Sequence, residues 1–212
     1  MNFYVQLGND RHTTAVLMSN SMSSKENNML HIAGINYESM VDGDGVRAAI
    51  YLSGCRHHCP GCHNPETHDP SYGKPVTPDL IQKIAKEMVK RKDFLSGFTL
   101  TGGDPFYDPH ATCQFLTDLW GALLDTDFPV DKLLPWIYTG YTLDEIFQLA
   151  PTLETTRQRS CYHLLSVCDH LVDGRFDREL ADKSLAFRGS SNQRIWTRAE
   201  IQAKLNPKEN ES

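Results

Sequence analysis

The sequence has no apolar run approaching the ~20 residues of a membrane span, no block of Lys and Arg, and no spread of cysteines that could staple a secreted scaffold. Each absence narrows the function. Without a span, or the basic and apolar regions of a signal peptide near its start, the chain is expected to work in the cytoplasm with no membrane partner. Lys and Arg number 21 against 27 Asp and Glu, a formal net charge of −6, so direct nucleic-acid binding is not expected. Of six cysteines, three fall between Cys55 and Cys62, a pattern that fits metal binding in a reducing compartment rather than disulfides. No internal repeat is present, and 212 residues suit one domain with its own core.

What is present is concentrated in one stretch, Gly54-Cys55-Arg56-His57-His58-Cys59-Pro60-Gly61-Cys62-His63-Asn64. Three thiolates so close in sequence cannot all pair as disulfides. A cubic cluster has four irons, so three cysteines would leave one iron open to another ligand. The other reading is zinc, with His57, His58 or His63 completing a Cys3His set. Supply of all three thiolates from one loop, rather than from two separated pairs, favours the cluster. Gly61 suits backbone lying close to inorganic sulfide. His57, His58 and His68 read as ordinary loop histidines. Cys113, Cys161 and Cys168 read as small buried hydrophobes with no assigned role.

Residues 1–30 are polar and poorly patterned, and are expected to form a loosely ordered extension. Residues 31–205 read as a single domain and 206–212 as a polar tail. After the turn Asp42-Gly43-Asp44-Gly45, residues Val46 to Leu52 read as a strand, nearly apolar throughout as in a parallel sheet covered on both faces. Thr77 and Pro78 open a helix with Leu80, Ile81, Ile84, Ala85, Met88 and Val89 on one side. Gly97 to Thr101 is a second strand, followed by a helix carrying Phe115, Leu116, Leu119, Trp120 and Leu123. Leu133 to Tyr138 gives a third strand, Thr142-Leu143-Asp144-Glu145 a capping box for a short helix, and His170 to Val172 a fourth strand.

Strands alternating with helices argue for a parallel α/β sheet with right-handed crossovers and ligands at the carboxyl ends of its strands. A closed eight-fold barrel needs ~250 residues. Four or five strands therefore point to a partial, open (β/α) barrel of parallel strands. The second strand ends in Gly102-Gly103-Asp104-Pro105, where two glycines expose backbone groups to the ammonium and carboxylate of an amino-acid-like ligand. A plain strand-to-helix turn is the alternative. On the ligand reading, a valine at Gly103 should block the ligand and leave the metal site intact.

C-x3-C-x2-C followed by a Gly-Gly-acid-Pro strand end resembles the radical S-adenosylmethionine superfamily. Asp42-Gly43-Asp44-Gly45-Val46-Arg47, Cys59 to Thr67, Thr139-Gly140-Tyr141, Leu171-Val172-Asp173-Gly174 and Arg188-Gly189-Ser190-Ser191-Asn192-Gln193 are more specifically similar to the glycyl-radical-enzyme activases that serve anaerobic ribonucleoside-triphosphate reductase. The similarity runs from about Ile32 to Ile195. Gly61 stands where the wider superfamily often has an aromatic residue, Asp44 where activases often have proline, and Asp104 where glutamate is more general. The resemblance implies a 4Fe-4S cluster on Cys55, Cys59 and Cys62, with S-adenosyl-L-methionine chelating the open iron. Gly61, Cys62, His63, Gly102, Gly103 and Asp104 would be the cofactor contacts, with no catalytic acid or base beyond them. An external electron donor would drive reductive cleavage of the cofactor. The resulting 5′-deoxyadenosyl radical would take hydrogen from a glycine of the large subunit of the reductase, leaving a glycyl radical. A radical enzyme acting on another protein or peptide, and a non-catalytic zinc-binding interaction module, are the competing readings. For Arg188 to Gln193 a loop that holds the reductase and an internal hydrogen-bonded turn are both open.

Overall fold

The computed structural model describes residues 29–149 and 152–206. The extension expected over 1–30 and the tail expected over 206–212 lie outside these residues, except for Met29, Leu30 and Asn206. Among the described residues, seven strands form one open sheet: β1 His31–Ser39, β2 Arg47–Leu52, β3 Lys74–Pro75, β4 Gly97–Gly102, β5 Trp136–Tyr138, β6 His170–Asp173 and β7 Arg194–Thr197, in the spatial order β3-β1-β2-β4-β5-β6-β7. The helices are α1 Pro78–Lys90, α2 Pro109–Leu124, α3 Leu143–Leu149, α4 Thr156–Val167 and α5 Arg198–Leu205.

The four strands expected from the sequence are the parallel centre, β2, β4, β5 and β6. Three further strands correct the expected count and the expected all-parallel arrangement: β1, β3 and β7 pair antiparallel at the two edges. β1 escapes a period-two reading because its register with β2 shifts between Ile32 and Gly34 and again between Asn36 and Ser39. Each such irregularity breaks the alternation that marks a strand. β5 is shorter than expected at its start, since Leu133 has helical backbone and closes the 3-10 turn of residues 130–132.

The two faces of the sheet differ. Ala48, Ile50, Leu52, Phe98, Leu100, Ile137 and Leu171 join Ile84 and Met88 of α1, Phe115 and Leu119 of α2, Leu164 and Leu165 of α4, and Ile201 of α5 in one buried core. Burial of each large aliphatic contributes ~1.5–3 kcal/mol, so this side holds the helices to the sheet. Capping fixes where those helices begin. The Thr77 hydroxyl accepts from Leu80 N ahead of Pro78, and Thr142 and Glu145 cap α3 reciprocally.

The alternate strand residues, Arg47, Tyr51, Thr99, Thr101, Trp136, Tyr138 and His170, face the other way. β2 is buried on both faces as expected, Arg47 and Ala49 on this side included. Turn 42–45 closes part of this second face, with Thr99 Oγ1 donating to Asp42 O at 2.6 Å and Tyr51 OH to Asp42 Oδ2 at 3.1 Å. The Trp136 ring stacks on His170 with centroids 4.3 Å apart. Among the described residues no helix is long and apolar enough to cross a membrane.

Candidate metal centre

The loop that leaves β2 returns on itself, because Gly54 N donates to Thr67 O at 2.8 Å and buried Thr67 donates its hydroxyl to Asn64 O at 2.7 Å. Cys55, Cys59 and Cys62 lie inside that closure, all three free and half-buried. Cys62 N donates to Cys59 O at 3.0 Å across a turn that needs Gly61 at φ +79, the left-handed region. A Cβ on Gly61 would have room, 3.5 Å from Arg178 and Phe176, so backbone conformation is what calls for glycine here.

Two further segments are fastened to this loop. Gly103 N donates to Leu52 O and Asp104 N to Gly54 O, both at 2.8 Å. A Cβ on Gly103 would sit 2.6 Å from Gly54 O and 3.0 Å from Leu52 O. Gly102 and Gly103 thus let the end of β4 lie directly against the root of the cysteine loop. This alters the outcome expected for valine at Gly103, whose side chain would collide with the loop's own backbone. Tyr107 continues the contact, since its ring lies where a Cβ on Gly54 would fall and carries the Arg56 guanidinium at 4.5 Å. Arg157 holds the same turn by donating to Phe106 O and Tyr107 O at 2.9 and 3.0 Å.

Asp104 is buried, and its carboxylate accepts from Phe106 N at 2.8 Å, Thr139 Oγ1 at 3.0 Å, Gly140 N at 3.0 Å and His57 Nε2 at 2.7 Å. Asp104, expected among the cofactor contacts, has four protein donors on its two oxygens. His57 has the sequence of an ordinary loop histidine, but its side chain is only 5% exposed. No local pattern announces it; only the fold brings Asp104, 47 residues away, against its ring.

The thiols themselves carry the test of whether a cluster fits. Burial pushes Cys55 up to about 11, against which the backbone N–H groups of His57 and His58 favour its thiolate. Burial also raises Cys59, opposed by the N–H of Phe176. Cluster irons are held by cysteine thiolates, and three free thiols within one closed loop are a donor set that fits an iron–sulfur cluster. Among the described residues no three Cys, His, Asp or Glu side chains, the three loop thiols included, are grouped as one metal ion needs. His57 is engaged by Asp104, and His58 Nδ1 lies 3.0 Å from His68 Nδ1. His63 is exposed, its ring 5.9 Å from that of Phe176. Cys113 and Cys168 donate elsewhere, to Ser160 O and His170 O, and Cys161 is buried in the helix-side core.

A family described as a 4Fe-4S single cluster domain matches residues 41–196. Among curated relatives, the anaerobic ribonucleoside-triphosphate reductase-activating protein of Vibrio cholerae is 35% identical over 158 residues, 74% of this chain and 90% of that protein. Those of Salmonella typhi and Enterobacteria phage T4 are 33% and 31% identical, covering 73% and 74% of this chain and 90% and 87% of theirs. The chain belongs to the family of anaerobic ribonucleoside-triphosphate reductase-activating proteins.

Within this family frame, Arg188 to Gln193 forms an internal turn. Gln193 Oε1 accepts from Gly189 N at 2.8 Å and Ser190 N at 3.1 Å, and its amide donates to Gly174 O at 3.0 Å. Asn192 Nδ2 donates to Arg175 O at 2.8 Å. The turn thereby holds residues 174–176, which flank the cysteine loop: Arg175 Nε donates to His57 Nδ1 at 3.2 Å, and Phe176 lies beside Gly61.

Proposed function

We propose that this protein activates an anaerobic ribonucleoside-triphosphate reductase, holding a 4Fe-4S cluster on Cys55, Cys59 and Cys62 and acting with S-adenosylmethionine. The observation that carries the proposal is the three free thiols on one loop that leaves β2 at the carboxyl end of the parallel strands. When bound, the cluster and cofactor supply the chemistry: reductive cleavage of S-adenosylmethionine and hydrogen abstraction from a glycine of the reductase, leaving a glycyl radical there. An external electron donor supplies the electron.

The chain's own residues position and shield. Gly102 and Gly103 bring the end of β4 against the cysteine loop, which puts these two cofactor contacts beside the thiols. Gly61, Cys62 and His63 are the loop's contacts to it, and Asp104 shapes the site from beneath by fixing Gly140 and His57. Helices on one face of an open sheet, with polar residues on the other, support a partial barrel whose inner face receives cofactor and substrate. The reductase segment would complete the wall that excludes water.

Anaerobic purification followed by iron and sulfide analysis, and electron paramagnetic resonance after mixing with the reductase, tests this directly. Four irons, methionine release and a glycyl-radical signal are expected. Stoichiometric colourless zinc would instead establish a non-catalytic module. A cluster that cleaves S-adenosylmethionine without marking the reductase would point to another protein substrate.

A further inference from the structure

The cysteine loop is pinned through one imidazole. His57 lies between two of the thiols in sequence, and its ring is gripped by the ends of three consecutive parallel strands. Past β4, Asp104 Oδ2 is 2.7 Å from Nε2. Past β5, the Tyr141 ring meets it edge-on at 4.4 Å, and Gly140 lies so close that a Cβ there would fall 2.3 Å from the imidazole. Past β6, Arg175 Nε is 3.2 Å from Nδ1.

A guanidinium can only donate, so Nδ1 is the acceptor and the ring proton sits on Nε2, directed at Asp104. The directions are then fixed along the chain Arg175 to His57 to Asp104. Arg175 is held in turn at both ends, its Nη1 donating to Glu145 Oε1 at 3.1 Å and its carbonyl accepting from Asn192.

We propose that His57 is the positioning residue of the cysteine loop, and that Arg175 and the Asn192 turn act on the metal centre through it. This rests on the functional reading above. His57 touches neither cofactor nor substrate in this scheme; it sets where the three thiols stand relative to the end of β4. Partners lying behind metal ligands typically affect affinity or activity by ~10–100-fold, and the same range is expected here.

The test compares His57→Leu, which keeps bulk and removes both hydrogen bonds, with His57→Gln, whose amide can donate to Asp104 and accept from Arg175. Hydrogen–deuterium exchange on the metal-free proteins reads the pin itself. His57→Leu should lose protection in residues 54–68 and 139–141, and His57→Gln should restore most of it. On reconstituted protein, His57→Leu should weaken S-adenosylmethionine binding by about tenfold or more and alter the cluster's paramagnetic response to it, with His57→Gln again intermediate. Unchanged exchange in His57→Leu overturns the pin. Loosened exchange with wild-type affinity and spectrum, or a glutamine variant no better than leucine, overturns the positioning role. A wild-type cluster that gives no response to S-adenosylmethionine brings down the functional reading, and the positioning role with it, whatever the exchange data show.

Discussion

Two buried charges sit at opposite ends of the same parallel strands, and they are satisfied in different ways. At the amino end, Arg47 donates to Thr99 Oγ1 at 2.8 Å, Phe98 O at 2.7 Å and Asp44 O at 3.3 Å, with its guanidinium 5.5 Å from the Trp136 ring. Burial lowers it to about 10, so it remains charged at neutral pH. Its hydrogen-bond partners are a neighbouring strand and a tight turn, so it closes the amino end of the sheet. At the carboxyl end, Asp104 gathers donors from the residues after β4, from the end of β5 and from the cysteine loop. A buried charge whose partners come from separate loops organises a site; one whose partners come from adjacent strands seals a sheet.

The comparison is sharpest where function is lost outright. Cys55→Ala, Cys59→Ala or Cys62→Ala should each abolish cluster assembly, read as iron content, while Cys113→Ala, on the far side of the sheet, keeps it. Next in size is Asp104→Ala, which leaves several buried donors unpaired at ~1–3 kcal/mol each. Global stability should fall by about 3–5 kcal/mol, the range for breaking a buried charged network, and the cluster should be lost with it. Gly103→Val should reduce iron content and cofactor binding together, because the side chain strikes Gly54 O and Leu52 O rather than the ligand alone. Normal iron with impaired cofactor binding would restore the simpler steric expectation. Arg47→Met should cost about 1–3 kcal/mol in denaturant unfolding yet leave iron content and cofactor affinity unchanged. A functional defect in folded Arg47→Met would erase the distinction between the two ends.

How much of this could be read from sequence depended on whether the signal was local. The four central strands and the thiol loop were legible because runs such as Val46 to Leu52 and the cysteine spacing are contiguous. α4 and α5 were missed although each carries a capping box, Thr155 with Gln158 and Thr197 with Glu200; their apolar residues are too few to form a visible stripe. β7 has only four residues, and β1 is broken by its register shifts. His57 had no local signature, since its burial is made by residues 47, 84 and 118 positions away in sequence, Asp104, Tyr141 and Arg175. Gly103 reads from sequence as a ligand contact, but its nearest neighbour is the protein's own backbone, a fact that the pairing of β2 with β4 reveals.

The smallest expected effect bears on how far the carboxyl-end network extends. Asn192 is exposed and contributes one hydrogen bond, from Nδ2 to Arg175 O. Such a bond is worth about 0.5–1.5 kcal/mol, so Asn192→Ala should barely shift global unfolding. Its influence should be felt through Arg175, whose guanidinium braces His57. If the turn works only in this internal way, methionine release and glycyl-radical yield should fall together and modestly, because both depend on the same loop geometry. A glycyl-radical yield that falls well beyond methionine release would show that the segment also meets the reductase. Cleavage rate and radical yield both equal to wild type would end the network at Arg175, with Glu145 as its sufficient outer anchor.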